Sequence, residues 1–444
     1  MEKKLAAIIL AAGKGTRMKS PTPKVMHTVA GKPLVSHVAS AALDVGCNKL
    51  VLVVSEDMEQ VSNEIKNIFP NVASVIQKEQ LGTAHAVKVT KESFDNFEGD
   101  FLILYGDTPF IKPDTLQKML GELGEKSIIV LGFSLEGAGQ YGRLIVNKNN
   151  ELEEIVEYKD ASDKQKKIKL CNSGVMAVDG KILFDVLEEI DNKNAKGEYY
   201  LTDIISISRK KGYKCGVIEC DENEVLGINS QEERAMAEKI AQEELRKKIM
   251  ENGVTLIAPE TVFLCSDTQI GEGTVIHPNV VFGKNVKIGK SVEIKPFSHI
   301  EDAVVEDNAS IGPFARLRPG AQIGKEARVG NFVEVKNSKI GKGSKINHLS
   351  YVGDAEIGED SNIGAGTITC NYDGFTKHKT EIGNNVSVGS NTSLIAPVKV
   401  GDGAIIGAGT TVIKDVGADE LAINKLEQEN RPGSAKEYRD KKSG

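Results

Sequence analysis

Tryptophan is absent from this chain, and aromatic residues make up only 5% of it. Stacking on bases or sugar rings therefore cannot be its main way of holding a ligand. The six cysteines, at 47, 171, 215, 220, 265 and 370, form no C-x-x-C pair. That spacing argues against zinc and dithiol motifs, and reduced cytosolic thiols are expected. No long apolar run opens the chain. Met1-Glu2-Lys3-Lys4 leads into an apolar stretch, residues 5–12, that ends at Gly13. It is too short for a signal peptide or a membrane span, so a cytoplasmic protein is expected. A basic excess is missing too. Against 56 Lys+Arg stand 63 Asp+Glu, a formal net charge of -7. This speaks against nucleic acid as the main partner, and any phosphate ligand must be held by local cations.

What is present falls into two regimes. At 444 residues and 40% hydrophobic content, the chain can fill two or three cores. Up to about residue 229, apolar runs at 6–10, 49–54, 101–104 and 128–132 read as buried strands. Stretches such as 35–45 and 114–123 between them read as helices. This alternation predicts a Rossmann-like α/β domain with a mostly parallel sheet. Residues 231–250 are charged, free of Gly and Pro and helically periodic, which predicts a connecting helix. The expected organisation is an α/β domain over 1–229, a linker helix over 230–250 and an all-β domain over 251–444.

From residue 270 an aliphatic side chain recurs at every sixth position. Ile270, Ile276, Phe282, Ile288, Ile294 and Ile300 begin the beat. After a skip it runs through Val305, Ile311, Leu317, Ile323, Val329 and Val335, and after further skips it reaches Val412. Glycine often follows the aliphatic, and a small or β-branched residue often stands four on. A period of six marks a parallel β-helix, with one short strand and one corner per hexad. Three hexads close a triangular coil of about 18 residues, so residues at that interval stack, and glycine relieves the corner backbone. This half resembles the hexapeptide-repeat family, which implies a left-handed coil.

The segment Leu10-Ala11-Ala12-Gly13-Lys14-Gly15-Thr16-Arg17-Met18 follows the first strand, with Lys24 soon after. Small residues let backbone N–H groups approach an anion, and Arg17 and Lys24 add charge. The Rossmann fingerprint would need glycine at Met18, and a Walker A loop is absent. Taken alone, the segment is equally a tight turn with two solvated cations. Asp107 ends the apolar strand FLILYGD, which puts its carboxylate at the sheet edge where open α/β folds place ligands. Singly, Asp107 and Asn229 are equally well read as helix caps.

Further motifs follow in order: Gln77, Leu81-Gly82-Thr83-Ala84, Tyr105-Gly106-Asp107, Tyr141-Gly142-Arg143, Ile155-Val156-Glu157, Asn172-Ser173-Gly174 and Gly227-Ile228-Asn229. Together they resemble the sugar-1-phosphate nucleotidyltransferases. With the β-helix added, the chain is similar to the bifunctional family that joins an N-acetylglucosamine-1-phosphate uridyltransferase to a glucosamine-1-phosphate acetyltransferase. That resemblance implies UMP transfer from UTP to N-acetylglucosamine 1-phosphate, with release of pyrophosphate. The product would feed peptidoglycan and lipopolysaccharide synthesis. It implies Arg17 on the triphosphate, Lys24 at the α-phosphate, and Asp107 with Asn229 on Mg²⁺. Uracil falls to Gln77 and to the backbone of Leu10, Ala11 and Ala12, with Gly13, Gly82 and Thr83 nearby. Gly142, Glu157 and Asn172 would hold the sugar, and Tyr105 and Gly106 belong to the same substrate set.

In the second half, Arg318 and Lys336 replace the glycine of their hexads at an 18-residue interval. This predicts two cations on one corner of successive coils, with Tyr351 reaching that corner one skip later. Such a pair suits a sugar phosphate, or is a solvated charge ladder. His348, just before Tyr351, can take a proton from an amine near its ordinary pKa. The resemblance makes His348 the general base for N-acetylation of glucosamine 1-phosphate by acetyl-CoA, supported by Glu334. Arg318, Lys336, Tyr351 and Asn362 would bind the sugar phosphate. The beat breaks between Ile363 and Ile382, in TCNYDGFTKHKTE, and a loop extruded from a solenoid is often functional. By resemblance, Asn371 and Tyr372 of that loop join Ala365, Ser390, Ala408 and Lys425 around acetyl-CoA. Lys425 stands where the family has arginine, so forked hydrogen bonding is lost there. A homotrimer with clefts between subunits is also implied. Two other readings stay open: a nucleotidyltransferase whose β-helix only assembles subunits, and a binding scaffold that shares both folds.

Overall fold

The computed structural model describes residues 4–137, 139–194, 196–424 and 428–443. It divides into two compact units, Met1–Ala241 and Gln242–Gly444. No helix among the described residues is long and apolar enough to cross a membrane.

In the first unit the apolar runs become strands because they are rich in Val, Ile and Leu and are covered on both faces. They are β1 (Lys4–Leu10), β2 (Lys49–Val54), β3 (Val72–Ile76), β4 (Gly99–Tyr105), β5 (Ile128–Ser134), β6 (Arg143–Val146), β7 (Leu152–Val156), β8 (Leu170–Asp179) and β9 (Cys215–Cys220). The sheet order is β9-β5-β8-β4-β1-β2-β3, and the β6–β7 hairpin attaches to β8. Neighbours are parallel except around β8, which runs antiparallel to both β4 and β5. The sheet is thus mostly parallel, as its alternating pattern predicts. Strand β8 carries Asn172-Ser173-Gly174 in its middle, where its register against β5 shifts. Helix α1 (Leu34–Asp44) turns Leu34, Val35, Val38 and Ala42 into the core. Strands β1 and β4 lie side by side and end together, with Leu10 opposite Tyr105. The segments that follow them leave from one edge of the sheet.

The second unit is a three-sided parallel β-helix of the left-handed hexapeptide type. Its strands stack into three sheets of ten, eight and eight. Of the beat residues, Ile276, Ile294, Ile311, Leu317, Val335, Ile346 and Leu394 are among those completely buried. One column of them runs Ile270, Ile288, Val305, Ile323, Ile340, Ile357, Ile382, Val400, each hydrogen-bonded in register to the next. The step from Ile270 to Ile288 is 18 residues, from Ile288 to Val305 it is 17, and from Ile357 to Ile382 it is 25. The coil absorbs skips and the extruded loop at its corners, so the inward layer stays continuous.

Glycine's part in the coil differs from the expected one. A Cβ on Gly271 would lie 2.7 Å from the Gly289 carbonyl, one coil on. The close approach of stacked backbone demands glycine there, not a left-handed corner. Left-handed positions are shared by other glycines, such as Gly273 and Gly343 with φ of 74° and 69°, and by Asn285, Asn308 and Asn391, with φ of 56°, 59° and 57°, since a short amide tolerates that region. Buried hydroxyls satisfy the corner carbonyls: Thr274 donates to Gly289 O at 2.9 Å and Ser344 to Gly358 O at 2.6 Å.

Truncating one member of the inward layer leaves a hole that the rigid coil cannot close. Leu317→Ala is expected to cost about 2–5 kcal/mol of unfolding free energy. Denaturant unfolding of the β-helix signal measures it, and a loss below 1 kcal/mol would contradict close packing.

Candidate functional site

The edge where β1 and β4 end opens into a cleft of about 400 Å³. Its lining includes Leu10, Ala11, Ala12, Gly13, Lys24, Gln77, Gly82, Thr83, Tyr105 and Asp107. The sequence nominated every one of these. Gly15 has φ +58°, and a Cβ there would meet Lys24 Cβ at 2.6 Å. Glycine thus lets the loop close over the Lys24 stem. The Lys24 ammonium bonds Asp107 Oδ2 and lies 3.1 Å from Asn229 Oδ1. Asp107 also accepts the Ile228 N–H at its carbonyl, at 3.0 Å, which ties the two segments together. Neither Asp107 nor Asn229 is a helix cap. Helix Gln231–Glu251 is capped by Ser230, whose Oγ accepts the Glu233 N–H at 3.1 Å.

The other nominees on this side form a second group. Asn172 N–H donates to the Gly142 carbonyl at 2.9 Å. Thr202 Oγ1 donates to Glu157 at 3.3 Å. Burial pushes the Glu157 carboxyl above its ordinary pKa, and the Thr202 bond only partly opposes it. Tyr105 links the groups: burial first, then the charges of Asp107 and Glu157, push its phenol up. Gly106 packs against Val25 and Ala11, where a Cβ would sit 3.3–3.4 Å from their side chains. Arg17 is different. It stands exposed on the turn Thr16–Met18 and does not line the cleft. Four lining residues were not nominated: the apolar Val25 and Ala86, Gln80, which donates to the Ala12 carbonyl at 2.7 Å, and Glu198.

In the β-helix, Leu317 pairs with Val335, so Arg318 and Lys336 do stack. Tyr351 is not on that corner. It pairs with Glu334, while Gly353 pairs with Lys336, because this coil is 17 residues long, not 18. Its ring instead lies across Gly353, where a Cβ would be 2.4 Å from the Tyr351 hydroxyl. Only the side chain reaches the corner. Within one chain Glu334 contacts arginines and not His348. Its carboxylate is held by Arg318 at 2.7 Å and Arg316 at 3.6 Å. The partner of His348 is Asn331, with Nδ1 2.6 Å from Asn331 Oδ1. Strand Lys345–His348 belongs to one face and Glu334–Lys336 to the next. A corner at Leu349-Ser350 separates them, and the cleft that His348 lines with Asn331 includes neither Glu334 nor Lys336.

The His348 corner continues as a column. Gly366 N–H donates to His348 O at 3.3 Å, Asn391 N–H to Ala365 O at 2.7 Å, and Gly409 N–H to Ser390 O at 2.8 Å. In this ladder the residue before each donor stacks on the acceptor. His348, Ala365, Ser390 and Ala408 are therefore successive steps, with Asn331 above them. Asn362 lies on the same face, between Lys345 and Ser387. In the extruded loop, Asn371 is buried and donates to Asp354, while Tyr372 is exposed and its hydroxyl donates to Gly374 O at 2.7 Å. Lys425 lies outside the described residues.

The structure adds a cation that the sequence did not single out. Lys377, from the extruded loop, makes contact with the Lys336 ammonium and with its charge depresses the Lys336 pKa. Two ammonium groups held side by side attract an anion such as phosphate. Asp354 lies close by. Burial pushes its carboxyl up, but bonds from Asn337 and Asn371 and both lysine charges outweigh this and lower it.

Comparison with known proteins gives matches in both units. The model for the MobA-like NTP transferase domain matches residues 7–168. The model for the bacterial transferase hexapeptide (six repeats) matches 267–302, 302–337 and 379–414. Relatives named "Bifunctional protein GlmU" align along almost the whole chain. That of Rhodospirillum rubrum is 53% identical over 439 residues, covering 98% of this chain and 97% of the relative. That of Paramagnetospirillum magneticum is 51% identical over 439 residues, with the same coverage. That of Zymomonas mobilis is 47% identical over 443 residues, covering 99% and 98%.

The lysine pair yields a titration test. A neighbouring cation disfavours the protonated form, so Lys336 should lose its proton below the ordinary lysine range of about 10.4. Lys377→Met should move that titration upward, and so should inorganic phosphate added to the unaltered protein. NMR titration of the Lys336 ε-carbon reads both, and an unmoved curve would refute the contact.

Proposed function

The chain belongs to the bifunctional GlmU family, and from that premise we propose which of its residues carry the two reactions. It is an enzyme of UDP-N-acetylglucosamine synthesis, a nucleotidyltransferase joined to a hexapeptide acetyltransferase. Acetyl transfer from acetyl-CoA to glucosamine 1-phosphate comes first, and UMP transfer from UTP to N-acetylglucosamine 1-phosphate follows. Both co-substrates and both sugar phosphates are small cytoplasmic molecules, and we place the enzyme there.

The observation that carries the acetyl-transfer reading is His348 at the head of a column of small residues. Asn331 Oδ1 can only accept, so His348 Nδ1 bears the proton and Nε2 keeps its lone pair. Nε2 takes a proton from the sugar ammonium or amine. The nitrogen attacks the thioester carbonyl, the C–S bond breaks, and the CoA sulfur takes back the proton from His348 Nε2 and leaves as the thiol. Ala365, Ser390 and Ala408 leave room along the column for the pantetheine arm, with Asn371 and Tyr372 beside it and Lys425 at a CoA phosphate. Arg318, Lys336 and Lys377 hold the sugar phosphate, with Tyr351 and Asn362 on the sugar. Glu334 fixes the Arg318 guanidinium rather than the histidine. Since His348 and the cationic corner occupy adjacent faces, the acceptor site is completed between subunits of a homotrimer.

In the first half, a phosphate oxygen of N-acetylglucosamine 1-phosphate attacks the α-phosphorus of UTP, and pyrophosphate departs. Lys24 offsets charge at the α-phosphate, and Arg17, exposed at the loop, meets the outer phosphates. Gln77 and the backbone of 10–12 read the uracil, and Gly142, Glu157 and Asn172 read the sugar. Asp107 and Asn229 would hold Mg²⁺. Their oxygens converge on one cation, the Lys24 ammonium, and hard oxygen donors of this kind suit magnesium. Among the described residues no group of three or more His, Cys, Asp or Glu could hold a metal. Water and substrate phosphates must complete the shell, as magnesium ordinarily requires. The ion would neutralise charge on the phosphates.

Two assays separate the halves. Asp107→Ala should abolish pyrophosphate release from UTP while sparing thiol release from acetyl-CoA. His348→Ala should do the reverse, with thiol release down about 10²–10⁴-fold. Asn331→Leu should lower thiol release less, and shift its pH profile. Full thiol release in His348→Ala would end the general-base assignment.

A further inference from the structure

Gln77 is 4% exposed, yet it lines the nucleotide cleft. Both hydrogens of its amide are committed to neighbours in the fold. Nε2 donates to the Gly82 carbonyl at 3.1 Å and meets His85 Nδ1 at 3.1 Å. The Gly82 carbonyl can only accept, so Nε2 is the nitrogen end of the amide. His85 Nδ1 must then be the acceptor of the second bond, with the ring proton on Nε2. No hydrogen bond from the described residues reaches Gln77 Oε1. The amide therefore offers the cleft a hydrogen-bond acceptor.

His85 does not line the cleft. It sits on the short helix Thr83–Lys88, whose start is pinned from several sides. Ala84 N–H donates to Tyr199 O at 3.0 Å, and the Leu201 N–H donates to Thr83 Oγ1 at 3.0 Å. Gly82, just before it, has φ +119°, and a Cβ there would lie 2.5 Å from the Tyr199 carbonyl. The imidazole is thus carried on a fixed platform. Were the Gln77 amide to turn over, Oε1 would face the Gly82 carbonyl and the His85 lone pair, two acceptors against one.

We infer that His85 is a positioning residue that locks the Gln77 amide and thereby sets which pyrimidine edge the cleft accepts. The inference rests on the reading that Gln77 faces the base of the nucleotide. Uracil presents an N3–H donor, which an amide oxygen welcomes. Cytosine presents a bare N3 lone pair, which the same oxygen repels, and a mismatched buried pair of this kind discriminates strongly. Without the His85 acceptor the amide is freer to turn and present NH₂, the edge that suits cytosine.

The test uses the full-length enzyme and pyrophosphate release with UTP, CTP and dTTP. His85→Leu should lower the UTP-to-CTP ratio of kcat/KM by about 5-fold, the worth of one ordinary hydrogen bond. His85→Asn, whose Oδ1 can accept from Gln77, should keep most of that ratio. The UTP-to-dTTP ratio should stay fixed in both, because thymine shows the same edge, whereas a merely structural lesion would depress all three nucleotides alike. An unchanged UTP-to-CTP ratio in His85→Leu, or an equal fall in His85→Asn, overturns the inference. Gln77→Ala tells the two layers apart. If its ratio collapses while His85→Leu is silent, only the role of His85 is lost. If Gln77→Ala keeps the ratio, the reading of Gln77 itself is wrong, and the inference goes with it.

Discussion

The acetyl-transfer half depends on the continuous layer of aliphatic side chains inside the three-sided coil. Burial of Ile276, Ile311, Leu317, Val335 and their neighbours at every sixth position fixes which residue lies over which. A parallel ladder has one register, and a slip by one residue would turn the whole inner layer outward. The core therefore does more than stabilise. It makes distant positions adjacent, and Asn331, His348, Ala365, Ser390 and Ala408 become steps of a single column. The coil tolerates irregularity only at its corners, which is where the extruded loop leaves, bringing Lys377 to Lys336.

The nucleotide half solves the same problem by another route. Adjacent parallel strands end at one edge, so the loop after β1 and the Gly106-Asp107 turn after β4 are neighbours by topology. Glycines at 15 and 82 then let backbone approach where a side chain would collide. Among the residues that line the cleft Tyr105 is the one aromatic, in keeping with the scarcity of aromatics. On the proposed reading, recognition falls to oriented amides, backbone groups and a few charges. That economy places a premium on how each amide is held, and the Gln77–His85 contact is one such restraint.

The sequence made much of this legible. The hexad beat locates the inward layer residue by residue, and ten of the residues nominated around the nucleotide line one cleft. Its failures have physical causes. The skip before Tyr351 is legible in the beat, but not its effect on register: the coil between Val335 and Val352 has 17 residues rather than 18. That one-residue difference moves Tyr351 off the cationic corner and onto Glu334. The same shift hides Asn331, which stacks on His348 at an interval of 17. Glu334 is near His348 along the stack, but within one chain a corner puts them on different faces and two arginines hold its carboxylate. The antiparallel strand β8 was invisible because Asn172-Ser173-Gly174 interrupts its apolar run. Gln80 and Glu198 lie outside every recognised motif and Lys377 is one polar residue of the extruded loop, and no periodicity says which polar residue of a loop turns inward.

The central claim is that coil register aligns the small residues beneath His348 into one groove for the thioester arm. The most direct measurement is oxidation of a Ser390→Cys/Ala408→Cys double variant. Stacked parallel strands lie about 4.8 Å apart, within the span a disulfide bridges. The account predicts a 390–408 crosslink, found by peptide mapping, that blocks thiol release from acetyl-CoA, leaves pyrophosphate release from UTP intact and forms more slowly when acetyl-CoA is present. Failure of these two cysteines to join, or a crosslinked enzyme that still acetylates at full rate, would contradict it.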